Sequence, residues 1–459
     1  MLIPWLILLK ILQQLLYNVY LWQLKEYRRD RFFEHIQRTQ GNFLKAYLHL
    51  TLLAPISPQK LPRPTLKAVV VLFLSFFLNI VIFFQGNLLW LLIALLATPV
   101  VFFLALLITF PIEWTIRQFV YHMASQKVKL LQTNGLTVIG ITGSYGKTST
   151  KMFVFQLLSV QFPSLMTDKS VNTPLGISLA ILKNLDSSHR FFIVEMGAYQ
   201  RGEISEIGRI VHPDIGVITG IGSQHLALFG SQDNLIKAKS ELLQSLPKKG
   251  LAIINKDSAH QTEIPRDKNL EIVYYRKDEE RALLQEVEIP TFLRTNIIPG
   301  LIISRRFKIS ETKLAVAASR LKIPERTMKT FIGHNKATII DDSFTANEDG
   351  FMAALEHLSS LSQQKKIVVM TCLIELGDRS GEIHSRIGKV LRRNSVTALV
   401  TSEDFFKEIK AGASGSDEIR LVKNPDEAIK MLRDLISEDA VVLIEGRVPQ
   451  KIIDFLKNK

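Results

Sequence analysis

The sequence predicts two α/β domains built on parallel sheets, preceded by an α-helical region of membrane character. Three observations carry that prediction. Residues 68–112 run almost without interruption through apolar side chains and contain no charged residue. From residue 136 onward, short Val- and Ile-rich runs alternate with helix-length amphipathic segments, the texture of repeated βα units. Between the first of those runs and the next helix stands the glycine-rich turn GITGSYGKTST (140–150). With 459 residues, 47% of them hydrophobic and 22% charged, the chain can bury more than one core and is not generally disordered. Its single cysteine, Cys372, excludes a disulfide framework and a Cys-rich metal site, and fits a reducing compartment.

Residues 1–134 make up the membrane region. The runs at 68–84 and 88–112 approach or exceed the ~20 apolar residues that cross a ~30 Å hydrocarbon core, with only Gln85, Gly86 and Asn87 between them. They read as a transmembrane hairpin, because the second run is too long and too uniformly apolar for the core helix of a soluble domain. Residues 2–22 are interrupted by Lys10, Gln13, Gln14 and Asn18, and fit either a third span or a helix lying along the interface. No basic start and no small-residue cleavage site flank this opening, so it reads as retained rather than as a signal peptide. Residues 25–67 hold nine Lys or Arg against three acids, +6 of the chain's net +14. The positive-inside rule puts that segment in the cytoplasm and returns the chain there after Pro111. Topology and anionic lipid account for the basic excess, and no base-reading or stacking motif points to nucleic acid. The stretch 115–130, apolar at helical intervals with basic residues between, joins the hairpin to the first α/β domain while lying on the membrane.

The first α/β domain spans 135–332, with expected strands at 136–141, 191–196, 215–221 and 251–255. The second spans 333–459, with strands at 338–344, 366–372, 397–402, 418–422 and 440–446, and reads as Rossmann-like. A helix is expected at 310–321. His122, His212 and His260 lack partners at metal-ligand spacing and read as structural or surface residues. Cys372 reads as a buried strand residue.

The strongest chemical signal is the turn at 140–150. Gly140, Gly143 and Gly146 remove Cβ atoms where a strand delivers the chain, so backbone N–H groups of Gly143, Ser144 and Gly146 can close around phosphate oxygens. Lys147 would reach the β and γ phosphates of ATP, Thr148 would place its hydroxyl on Mg²⁺, and the helix from Ser149 would add its positive dipole end. Strict Walker spacing is not met, since Ile141 stands where its first glycine would be; the glycines fall instead as GxxGxxGKT.

That spacing resembles the Mur ligases, ATP-dependent amide ligases of cell-wall precursor synthesis. The resemblance continues through NTPLG (172–176), EMGA (195–198), HPDIGVITGIGSQHLALFGS (212–231), KAKSE (237–241) and NKD (255–257), in the order of the family's central ATPase domain. IIDDSFTANEDGFMAALEHL (339–358) and IELGDRSGEIH (374–384) are similar to stretches of the D-alanyl-D-alanine-adding member. By resemblance, Glu195 and His225 are Mg²⁺ ligands and Lys239 is a carbamylated lysine holding a second metal. A surface ion pair between Lys239 and Glu241 is the structural alternative. Asn172 and Thr173 match positions supporting metal and γ-phosphate, Asn255 the adenine contact, and Asp342 the ribose contact. The catalytic set so implied is Lys147, Lys239 and His225.

Three departures limit the carry-over. Membrane helices and a basic segment occupy the length where the family has its domain for the uridine-diphosphate sugar. His334, Asn335 and Lys336 follow Gly333 where the family commonly has an arginine facing ATP, and neither His334 nor Lys336 reproduces a guanidinium fork. Near the end, Glu445, Gly446 and Arg447 replace a Lys-Gly-Ser-Arg stretch that contacts substrate. The resemblance implies a membrane-anchored ligase of a bacterial cytoplasmic membrane, its catalytic domains in the cytoplasm. It would join an amino acid or dipeptide to a cell-wall precursor carboxylate through an acyl phosphate, by resemblance D-alanyl-D-alanine to a muramyl tripeptide. The missing sugar domain leaves open a lipid-linked precursor or a poly-γ-glutamate-type polymer, and the missing arginine an ATP-binding scaffold without ligase activity.

Overall fold

A computed structural model describes residues 2–24, 27, 32, 61–85, 87–168, 171–222, 229–258, 260–265, 269–284, 287, 289–343, 347–374, 376 and 379–458. Most of the basic segment at 25–67 lies outside these residues, as does His225. The chain divides into two compact units, Met1–Phe119 and Val120–Lys459.

The first unit is helical: α1 (Leu2–Leu24), α2 (Leu66–Phe83) and the start of α3 (Leu88–Thr133). The Thr65 hydroxyl caps α2 by accepting from Ala68 N at 3.2 Å, and Asn87 Oδ1 accepts from Trp90 N at 3.2 Å at the start of α3. Ile11, Leu15 and Val19 of α1 share a buried cluster with Ala68 and Val71 of α2 and Ala94, Phe102 and Ala105 of α3. Each helix thus turns one stripe inward and leaves other apolar residues outward, among them Val69, Phe73, Phe77, Leu96 and Leu107. The sequence places the end of the second span at 112 and a separate linking helix at 115–130; the structure makes them one 46-residue helix through Pro99 and Pro111. Proline interrupts a helical hydrogen bond without ending the helix here, and the Thr115 hydroxyl bonds the Pro111 carbonyl at 2.9 Å.

In the second unit, Tyr121, Ala124, Val128 and Leu131 of α3 pack on the first sheet. That sheet has the order β2-β3-β1-β4-β5-β6, from β1 (Thr137–Thr142), β2 (Ser164–Met166), β3 (Phe191–Glu195), β4 (Ile215–Ile218), β5 (Leu251–Asn255) and β6 (Glu271–Tyr275), all parallel. Strands β3, β4 and β5 are buried along their whole length, as a sheet covered by helices on both faces requires. The covering helices include α4 (Lys147–Ser159), α5 (Pro174–Asn184), α6 (Glu203–Val211) and α7 (Gln232–Gln244).

The second sheet has the order β11-β10-β9-β12-β8-β7, from β7 (Lys329–Ile332), β8 (Thr338–Asp342), β9 (Lys365–Met370), β10 (Thr397–Val400), β11 (Ile419–Leu421) and β12 (Ala440–Glu445). Only β7 runs antiparallel, on β8. The sequence reading ends the central domain at 332, yet β7 belongs to the second sheet, so that boundary is corrected to before Lys329. The expected helix at 310–321 is Glu311–Ser319, capped by Ser310. Cys372 is buried as expected, but just beyond β9 rather than in it.

Candidate active site

Parallel strands end together, and the C-terminal edge of the first sheet gathers the loop after β1, Glu195 at the end of β3, Thr219 after β4 and Asn255 at the end of β5. Gly146 is left-handed at φ +76°, and a Cβ there would meet Asn296 Oδ1 at 2.7 Å; a Cβ on Gly143 would collide with the Thr219 hydroxyl. Only glycine fits either position, and the loop is a cradle sized for small anionic groups. Ser144 N donates to Gly220 O at 2.7 Å, and Tyr145 packs against Gly220.

Helix α4 starts at Lys147 and projects three groups from its first turns. Lys147 Nζ donates to Gly143 O at 2.8 Å and Ser144 O at 3.1 Å, folded onto the loop it would serve. Burial lowers the affinity of this amine for its proton, against the pull of Glu195. Thr148 Oγ1 donates to Glu195 Oε2 at 2.9 Å, and Lys151 Nζ pairs with the same oxygen at 3.1 Å. Asn172 Nδ2 donates to Glu195 Oε1 at 3.3 Å. Ser149 is buried in the first turn of α4. Thr173 caps α5, its hydroxyl accepting from Gly176 N at 3.4 Å, so its side chain serves a helix end.

Lys239 lies on α7, only 2% exposed, with Nζ 3.4 Å from Ala198 O and 5.4 Å from the centre of the Phe229 ring. Its pKa is pushed down to about 7, chiefly by burial and then by the Lys147 charge, with Glu203 and Glu241 opposing. A surface ion pair with Glu241 is not what the structure holds: Lys239 is buried, and the Glu241 carboxylate accepts from Gly202 N at 2.7 Å and Ser205 N at 3.0 Å at the start of α6. Asn255 Nδ2 donates to Thr219 O at 2.7 Å and its Oδ1 accepts from Asp257 N at 2.9 Å.

Asp342 stays within the second domain. It accepts from Met328 N at 3.1 Å and lies in register with Glu445 of β12. Burial raises its carboxyl to about 7, with the hydrogen bond from Met328 N opposing the rise and Asp341 adding to it. Burial and Asp342 raise Glu445 well above the carboxylate range. The second domain also meets the loop after β4 through Asp349: its Oδ2 occupies the place a Cβ on Gly222 would take. The Tyr145 phenol is pushed up to about 12 by burial and then by Asp349 and Asp257. His334 packs on Phe455 with ring centroids 4.4 Å apart, and Lys336 faces Glu438 at 3.7 Å, so both are used within their own domain. His384 accepts from Leu373 N at 3.0 Å and stacks on Phe405, a structural role.

Two residues of this site escape the sequence reading. Lys151 shares a helix face with Thr148, three residues apart, and that spacing is a readable signal. Asn296 reaches Gly146 from a distant segment, and no local pattern announces it. The donor set of a threonine hydroxyl and a buried carboxylate beside a glycine cradle fits a hard cation with nucleotide phosphates.

Fold and site together define a two-domain ATP-binding protein of phosphate-loop type. The Mur ligase middle domain matches residues 141–309 and the Mur ligase glutamate ligase domain matches 328–448, so the chain belongs to the Mur ligase family. UDP-N-acetylmuramoyl-tripeptide–D-alanyl-D-alanine ligase of Synechocystis sp. is 27% identical over 298 residues, 61% of this chain and 65% of that one. This chain therefore spans just under two thirds of that relative. The enzyme of the same name from Bacillus subtilis is 24% identical over 351 residues, 72% of this chain and 77% of its own. Among solved structures, MurF of Acinetobacter baumannii superposes with a TM-score of 0.66 at 23% identity, covering 74% of this chain and 80% of that one. MurF ligase of Thermotoga maritima in complex with ADP gives 0.63 at 22% identity, covering 74% and 83%. At those identities the structures bear on the fold.

Proposed function

We propose that the protein is an ATP-dependent ligase that joins D-alanyl-D-alanine to the terminal carboxylate of a muramyl tripeptide in peptidoglycan precursor synthesis. The observation carrying this reading is the joining of a phosphate loop to Glu195 and a buried, easily deprotonated Lys239 at one sheet edge, in a chain whose curated relatives bear that activity in their names. The acceptor carboxylate takes the γ-phosphoryl group of ATP, giving an acyl phosphate and ADP. The amine of the donor then attacks the acyl carbon, phosphate leaves, the peptide bond forms and the amine gives up a proton.

Gly143 and Gly146 would hold phosphates through backbone N–H groups while the Ser144 N–H stays on Gly220 O, and Lys147, released from Gly143 O and Ser144 O, would neutralise the transferring group. Bound Mg²⁺ would supply charge neutralisation of the crowded oxygens, held by Thr148 and Glu195 with Asn172 in support. Lys239, with a pKa of about 7, presents a neutral amine to CO₂, and the carbamate would hold a second ion; His225 is the further ligand expected from the family pattern. Asn255 would face adenine and Asp342 ribose.

Two observations favour membrane attachment and, with it, a lipid-linked acceptor as the second reading. Helices α2 and α3 are long and apolar enough to cross a bilayer, and only 28% and 39% of their most apolar windows are buried, unlike core helices of a soluble protein. The test is detergent-purified full-length protein with ATP and Mg²⁺, D-alanyl-D-alanine, and either the nucleotide-linked or the lipid-linked muramyl tripeptide. ADP release with a product heavier by one dipeptide in the nucleotide arm supports the first reading. Product in the lipid arm alone selects the second, and product in neither arm rejects both.

A further inference from the structure

We propose that Lys151 is a positioning residue for the metal site, a fixed donor that holds the Glu195 carboxylate aimed. The inference rests on the reading of Glu195 as a metal ligand. Lys151 stands one helical turn after Lys147 and is 1% exposed. A lysine is rarely taken out of water unless a partner compensates, and here that partner is Glu195, itself 2% exposed, with Nζ 3.1 Å from Oε2.

The division of labour at the carboxylate gives the pair its direction. Oε2 receives both strong donors, the Lys151 ammonium and the Thr148 hydroxyl at 2.9 Å. Among the described residues, Oε1 receives only the longer contact from Asn172, at 3.3 Å. Thr148 spends its proton on Oε2, which leaves its oxygen lone pairs free. Oε1 and the Thr148 oxygen are therefore the two sites open to a cation, and both are held by bonds that converge on Oε2. Lys147 cannot do this work, because its Nζ is committed to Gly143 O and Ser144 O and would move to phosphate. Lys151 pairs with the acid at 3.1 Å, so it acts on the metal through Glu195.

The experiment is Mn²⁺ binding to the full-length protein in the presence of saturating ADP, read from the free-ion electron paramagnetic resonance signal. Wild type, Lys151→Met and Glu195→Gln are compared, with ADP affinity measured separately in the absence of metal. Lys151→Met should weaken Mn²⁺ by roughly 10–100-fold, the scale of losing a group that orients a metal ligand, while metal-free ADP affinity changes by less than about threefold. Should Lys151→Met fail to fold, Lys151→Gln keeps a donor and drops the charge, and is read in the same way. Wild-type Mn²⁺ affinity in the Lys151 variant with loss in Glu195→Gln would overturn the positioning role. Wild-type Mn²⁺ affinity in both variants would instead overturn the reading of Glu195 as a ligand. A matching loss of metal-free ADP binding in Lys151→Met would make Lys151 a phosphate contact and also overturn the proposal.

Discussion

Lys239 concentrates the chemistry at the scale of single residues. A free lysine side chain is almost wholly protonated at neutral pH, and an ammonium cannot add CO₂. Burial against Phe229 and Ala198 and the nearby Lys147 charge bring its pKa down to about 7, so the free amine is abundant where the protein works. The amine is therefore mostly charged below pH 7 and mostly free above it. Protein depleted of CO₂ at pH 6 should be inactive and should regain ADP-forming activity on exposure to CO₂, at a rate that, for a fixed dissolved CO₂ concentration, climbs through about pH 7 and levels above it. Lys239→Ala should lose at least about 10²-fold in turnover, as removal of a key electrostatic group does, and recover part of it with acetate, whose carboxylate can stand in for the carbamate. Lys239→Arg should not be rescued, because its side chain fills the space. Turnover of Lys239→Ala that matches wild type without acetate would leave Lys239 as a buried structural lysine.

At the scale of elements, legibility tracks burial and local chemistry. Strand β1 and the turn after it are readable because a Val- and Ile-rich run, three glycines and a lysine lie within a dozen residues. Strand β2 is three half-buried residues, Ser164 to Met166, and β6 begins with an exposed Glu271 at the sheet edge; neither carries the apolar signature of a central strand. The site divides the same way. Thr148 and Glu195 announce themselves by motif, whereas Asn296 reaches Gly146 only through the tertiary fold. The Asp342 and Glu445 pair is also invisible in the sequence, since it arises from the register of β8 on β12. Its consequence is a pH dependence. Asp342 rises from 3.8 to about 7 in the fold, so the folded protein holds that proton more tightly, and the stability it contributes is present below about pH 4 and lost as pH rises through 7. Asp342→Asn keeps an oxygen for Met328 N and has nothing to ionise. The advantage of the variant over the parent in stability should grow between pH 4.5 and pH 8, by about 1 kcal/mol or more. An unchanged difference in thermal midpoint between the two pH values would show that Asp342 ionises without cost. If Asp342 also meets ribose, the same variant should raise the Michaelis constant for ATP.

For the whole molecule, two different forces that would act at a bilayer are written into its first third. The segment at 25–67 carries a net +6, enough for peripheral attraction to anionic lipid, at up to ~1 kcal/mol for each basic residue near the surface. Helices α2 and α3 offer instead the outward apolar faces of Val69, Phe73, Phe77, Val81, Leu96, Val100 and Leu107. Fully transferring a side chain of that size from water stabilises by about 1.5–3 kcal/mol, so these residues together outweigh the electrostatic term. The two forces respond oppositely to salt: surface attraction is screened within a Debye length of ~3 Å at 1 M, while burial of apolar surface is not weakened. Full-length protein expressed in bacteria should therefore sediment with membranes, stay there through 1 M NaCl and an alkaline carbonate wash, and leave only with detergent. Replacing Phe73 and Phe77 by Lys should shift a large part of it to the soluble fraction or to aggregates, while neutralising Lys60, Arg63 and Lys67 should not. Release of the wild-type protein by salt alone would assign the attachment to the basic segment and make the outward faces of α2 and α3 a protein-binding surface rather than a lipid-facing one.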